Sequence, residues 1–85
     1  MDTKSERLRD ACELAVQAFH KLNQPEFGDI ISKLQFCIGS FNYDKNPSGL
    51  VEYGFQAFEI LKEIKKKYPR KISKEVLAAL EDSLT

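Results

Sequence analysis

The sequence predicts an all-α protein, an antiparallel up-down-up-down four-helix bundle with a short fourth helix. Three observations carry that prediction. Apolar residues recur every three or four positions, and no stretch alternates apolar and polar residues long enough to make a strand. Lys, Leu and Glu are the commonest residues while Val is sparse, as helices prefer. Each of the three prolines falls in a break: Asn23-Gln24-Pro25, Asp44-Lys45-Asn46-Pro47-Ser48-Gly49, and Tyr68-Pro69-Arg70-Lys71. Proline donates no amide hydrogen bond and turns its predecessor away from helix, so the breaks divide the chain into four segments.

The first helix is predicted over residues 4–22. Thr3 and Glu6 have capping-box spacing, and Leu8, Ala11, Cys12, Ala15, Phe19 and Leu22 form one face. The second is predicted over 25–43. Pro25 suits a first turn, where its missing amide costs nothing, and Phe27, Ile30, Ile31, Leu34, Ile38 and Phe41 form the stripe. The third is predicted over 47–68, with Asn46 as cap and Leu50, Gly54, Ala57, Leu61, Ile64 and Tyr68 on its buried face. The fourth, over 74–84, has Ser73 as cap and Ile72 and Leu77 at staple positions. Val76, Leu77, Leu80 and Leu84 are its apolar side. Four helices joined by short connections bury these stripes on each other.

The 85 residues suit one domain, 1–85, and 42% hydrophobic content is enough for one core. Thirteen Lys and Arg balance thirteen Asp and Glu, which argues against a uniformly basic nucleic-acid binder or an acidic mimic. No apolar run reaches the roughly 18 to 20 residues of a membrane span. The Met1–Arg7 stretch leads into a mixed helix without a secretory apolar region, so a cytoplasmic protein is expected.

Apolar residues left over from the core stripes point to an interface. Phe36 and Tyr43 lie opposite the stripe of the second helix, seven residues apart and so one above the other. Gly28, Ser32 and Gly39 run beside them, a track of small residues that lets another helix approach. The third helix has an apolar arc too wide for one core. Val51, Phe55 and Phe58 extend it on one flank, Tyr53 and Ile60 on the other. Either this helix is the most buried of the bundle, or helices two and three together offer a surface to a second copy or a partner helix. The second reading is preferred. Its interface residues are Ser32, Phe36, Gly39, Tyr43 and Phe55, because Phe36 opposes its own core stripe so directly and small domains gain from association.

Charge is distributed unevenly. Between Lys62 and Lys74 seven positive residues face Glu63 alone, so this segment carries +6 and the rest of the chain −6. Lys62, Lys66, Lys67, Arg70 and Lys71 form a candidate anion site, and they are expected to be solvent-exposed together with Lys74. The alternative is a solvated helix end whose cations complement the dipole of the third helix. No arginine cluster or aromatic platform supports base reading. The sequence from Ile72 to Leu80 has the opening of a helix-turn-helix unit but no recognition helix after it.

Cys12 and Cys37, the only cysteines, read as free, buried thiols of a reducing compartment. With one distant histidine they do not complete a metal site, and no cofactor motif is present. His20 lies off the core stripe near the end of the first helix, where Asp29 is placed to face it. A phosphorelay role is set aside, because Lys21-Leu22-Asn23-Gln24 lacks the small, glycine-containing motif that follows such a histidine. There is no phosphate loop, His-Glu-x-x-His, nucleophile elbow or Cys-x-x-Cys, so no catalytic residues are assigned and the chain is read as a non-enzyme.

Pro25-Glu26-Phe27-Gly28-Asp29-Ile30, then Leu34-Gln35, then Asn46-Pro47-Ser48 opening a third helix, resembles the middle of small antiparallel-bundle bacteriocin immunity proteins. The resemblance covers less than half of the chain, and the neutral charge departs from that family. It implies an antiparallel helical bundle. The function expected from the residues is a small non-enzymatic protein-interaction module that self-associates through helices two and three. The alternatives are a binder of an acidic ligand or nucleic acid through residues 62–74, and an immunity-type bundle protein.

Overall fold

The computed structural model describes residues 3–84. Four helices follow one another: α1 (Thr3–Leu22), α2 (Gly28–Asp44), α3 (Ser48–Lys67) and α4 (Lys74–Leu84). No strand occurs among the described residues. The all-α, four-helix arrangement with a short last helix is therefore as the sequence predicts.

The punctuation follows local chemistry. After α1, Asn23 adopts a left-handed φ of 52° and its amide returns to the carbonyls of Phe19 and His20. Asn tolerates this conformation better than most side chains. Pro25 opens not α2 itself but a 3-10 turn, Pro25–Phe27, and α2 begins at Gly28. Asn46 caps α3: its Oδ1 accepts from the Ser48 backbone amide at 3.1 Å and from the Ser48 hydroxyl at 2.8 Å. Ser73 Oγ accepts the Val76 amide at 3.3 Å to cap α4, and Ile72 beside it is buried. The capping box at Thr3 depends on a side chain outside those described.

The bundle is flattened, with principal extents of 37 × 24 × 16 Å. Helix α1 packs against α2, α3 and α4, and α3 packs against α1, α2 and α4. Helices α2 and α4 share no comparable contact, so α1 and α3 form the short diagonal and α2 and α4 the far corners. This explains why Val16 and Ala18, off the expected stripe, are buried along with Cys12, Ala15 and Phe19. A helix with three neighbours buries more than one stripe. Leu34, Phe41, Leu50, Leu61 and Leu80 complete the dry centre, and Phe19 meets Phe27 with ring centroids 5.0 Å apart near the α1–α2 turn. Tyr68, expected on the buried face, is exposed instead: α3 ends at Lys67, and Tyr68 leaves the helical conformation with φ −134° and ψ 72°.

Candidate functional site

The outer face of α2 carries the largest exposed aromatic residues of the described chain. Ile30, Leu34, Cys37 and Phe41 turn α2 inward. At 100° per residue this sends Phe36 and Tyr43 outward, within about 20° of one another. Phe36 is 77% exposed and Tyr43 93%. Ser32 and Gly39 are exposed beside them, and a Cβ placed on Gly39 would meet nothing within 4 Å. No charged residue lies between Lys33 and Asp44, in a chain that is 31% charged. Charge depletion with exposed aromatics is the composition of an interface core. At the edge of this face Lys33 pairs with Asp29 at 3.1 Å, and the hydrogen bond it donates to that carboxylate holds the lysine pKa above its ordinary value. Asp29 thus serves Lys33 rather than His20, whose exposed ring has no polar partner among the described residues.

The structure separates Phe55 from this face. Helix α3 meets α2 through Gly49, which abuts Cys37, and through Tyr53, whose ring lies 5.5 Å from Lys33 Nζ. Phe55 stands about 200° round the helix from Tyr53, on the flank that turns toward α4. Together with Val51 it forms a second, smaller exposed patch, 47% and 42% exposed. The broad apolar arc of α3 is mostly consumed by packing, since Tyr53, Phe58 and Ile60 are half-buried against the core.

The basic segment divides into paired and unpaired cations. Lys62 is half-buried rather than fully exposed, because its stem crosses Phe58 with Nζ 4.9 Å from the ring centroid and it reaches Glu59 at 3.4 Å. Lys66 is exposed and pairs with Glu63 at 3.6 Å. Lys67, Arg70, Lys71 and Lys74 are exposed, with no side-chain hydrogen bond or ion pair among the described residues. Lys65, which sequence reasoning left unassigned, ties the α3–α4 connection together. Its ammonium donates to the Pro69 carbonyl at 2.8 Å and the Ile72 carbonyl at 2.7 Å. The signal available was positional: a lysine in the last turn of a helix, four residues before a proline.

A cleft of about 480 Å³ opens at this end of the bundle, where α1 and α3 finish and α2 and α4 begin. Leu22, Phe27, Ile64 and Tyr68 supply its apolar surface, and its charged lining is Lys67 and Lys71 with Glu63 from the α3 side and Glu26 from the α1–α2 turn. Its lining comes from two stretches of the chain, 22–27 and 63–71.

Cys12 and Cys37 are free and buried. Cys12 Sγ lies 3.9 Å from the Leu50 carbonyl, and Cys37 Sγ crowds Gly49, so the two sulfurs flank the first turns of α3. Burial, reinforced by Cys37 and Glu13, pushes the Cys12 thiol up to about 12, and burial raises Cys37 as well. These are packing thiols and poor nucleophiles. Among the described residues no group of three or more metal-ligating side chains converges, and no helix is long and apolar enough to cross a membrane. No protein-family model, curated protein or solved structure matches this chain.

Proposed function

We propose that this chain is a non-enzymatic protein-interaction module that pairs with a second copy of itself through the outer face of α2. The observation that carries the reading is the exposure of Phe36 and Tyr43, one above the other, beside open small residues on an uncharged helix face. That face is complementary to itself. When two α2 helices pack antiparallel about a twofold axis between residues 37 and 38, Phe36 of each copy lies opposite Gly39 of the other. The same register sets Tyr43 opposite Ser32. Each aromatic meets a small residue, which an isologous contact requires. Burying each Phe36 is worth roughly 1.5–3 kcal/mol. Association costs on the order of 4–15 kcal/mol, so the pair is weak and depends on concentration. Two free thiols support a reducing, cytoplasmic setting for the module.

Static light scattering over a concentration series tests the reading. The mass is expected to rise from 9.7 kDa toward twice that value. Phe36→Asp is expected to hold it at the monomer, while Phe55→Asp leaves the association intact. A wild-type monomer at every concentration ends the proposal, and a Phe36→Asp dimer assigns the contact elsewhere.

A further inference from the structure

The cleft at the α1–α2 and α3–α4 turns has the features of a ligand site, and its charges select the ligand. We propose that it binds a small amphipathic anion, an unbranched apolar chain ending in a carboxylate or phosphate. Its volume of about 480 Å³ lies within the usual range of small-molecule sites. Leu22, Phe27 and Ile64 are half-buried along it, and Tyr68 stands out from the end of α3 with its ring 58% exposed. These residues give an apolar chain a surface to lie on.

The head group is assigned by the cations. A helix C-terminus repels anions, and cations gathered there ordinarily do no more than neutralise it. Here other groups already serve that end. The Tyr68 amide takes the Ile64 carbonyl at 2.7 Å, and the Lys65 ammonium takes the Pro69 and Ile72 carbonyls. Glu63 also lines the cleft, and Lys66 offsets its charge from 3.6 Å. Lys67 and Lys71 are left over on the cleft wall without partners, and Arg70 and Lys74 beside them add to the positive potential. Glu26, exposed and unpaired on the facing wall, repels an anionic head and so directs it to the lysines. The site is distinct from the outer face of α2 around Phe36 and Tyr43, and the two readings stand or fall separately.

The test is a titration of the ¹⁵N-labelled full chain, followed by backbone amide shifts, with octanoate, octyl phosphate and octanol below their aggregation limits. Saturable shifts are expected at Phe27, Ile64, Tyr68 and Lys71 with either anion, and octanol is expected to bind at least about tenfold more weakly. Each added methylene that still fits is expected to tighten binding about fourfold. Lys67→Gln with Lys71→Gln is expected to weaken octanoate roughly tenfold. Glu26→Gln is expected to tighten it about two- to threefold, a gain that damage to the fold cannot imitate. Tighter binding of octyl phosphate than of octanoate assigns the head as a phosphate, and the reverse order assigns a carboxylate. Equal binding of octanol, shifts confined to residues 36–43, or no saturation up to about 10 mM overturns the proposal.

Discussion

Helices α2 and α3 both carry more apolar residues than one core stripe needs, and the fold uses the surplus differently. On α3 three of the five extra residues, Tyr53, Phe58 and Ile60, are drawn half into the core, and Val51 and Phe55 keep less than half of their surface bare. On α2 the extra residues Phe36 and Tyr43 remain almost fully bare. The cause is position in the flattened bundle. Helix α3 lies on the short diagonal and has three neighbours, whereas α2 sits at a corner and has two. The same helical arithmetic therefore marks mostly packing in one helix and free surface in the other. The spacing measures the width of the apolar arc, while the number of neighbouring helices decides how much of it is covered.

The largest expected effect tests that contrast within α2 alone. Phe41 is 2% exposed, and Phe41→Ala is expected to cost about 3–5 kcal/mol in urea denaturation. Phe36→Ala, measured at low concentration where the chain is monomeric, is expected to lie within about 0.5 kcal/mol of the wild type. A loss above about 1 kcal/mol for Phe36→Ala means that the ring packs within its own chain, and the contrast with α3 fails.

Two glycines sharpen the comparison on the α3 side. A Cβ on Gly49 would sit 2.6 Å from Cys37 Sγ, so a side chain there must displace the cysteine thiol. Gly49→Ala is expected to cost about 1–3 kcal/mol as an overpacked contact, and Cys37→Ala in the same chain is expected to return most of it. Gly54 faces α1 and α4, and its added Cβ would meet Leu8, Cys12 and Leu84 at ordinary distances of 3.5–3.6 Å. Gly54→Ala is expected to stabilise by about 0.5–1 kcal/mol through helix propensity and a less flexible unfolded chain. Equal effects at the two positions would show that α3 is not held more tightly on its α2 side.

These contrasts also separate what the sequence reveals from what it hides. Ser73, the three proline-containing breaks and the core stripes apart from Tyr68 are legible because each is set by residues close along the chain. Which flank of α3 turns to α4 is not, and Phe55 was grouped with Phe36 for that reason. The Lys65 tether and the cleft are hidden for a related reason: their partners come from connections whose path depends on how α4 docks. The pairing of Lys62 with Glu59 crosses the boundary of the charged run, because Glu59 lies just before it.

A smaller effect tests how dry the junction of α1 and α3 is. The Cys12 thiol, with an ordinary value of 9.0, is pushed up to about 12 by burial first, then by the charges of Cys37 and Glu13. An unfolded thiol loses its proton near 9 while the folded one keeps it. Between these values the folded state holds the extra proton, so stability falls as pH rises through the window and is unaffected below it. At pH 10 the loss is expected to be about 1.4 kcal/mol relative to pH 7, in excess of whatever Cys12→Ala shows. Identical pH profiles for the two proteins would mean that water reaches the sulfur.

The smallest expected effect lies where α2 ends, two residues beyond Tyr43. Lys45 holds a left-handed φ of 62° and ψ of 20°, and its amide closes the helix on the Phe41 carbonyl at 2.7 Å. An L-residue with a Cβ pays roughly 1–2 kcal/mol for that conformation, which glycine does not. Against this gain stand the greater freedom of glycine in the unfolded chain and the loss of Lys45 Nζ from its place 5.5 Å from the Phe41 ring centroid. Lys45→Gly is therefore expected to stabilise by about 0.5–1 kcal/mol, read as a raised denaturation midpoint with an unchanged slope. Asn23→Gly, at a similar φ of 52°, is expected to gain only a few tenths, because Asn already tolerates the region. Because α2 is covered on fewer sides than α3, its terminal turn depends more on this closure than on tertiary contacts. A neutral Lys45→Gly with a stabilising Asn23→Gly would reverse that account of which helix end, that of α2 or that of α1, carries the strain.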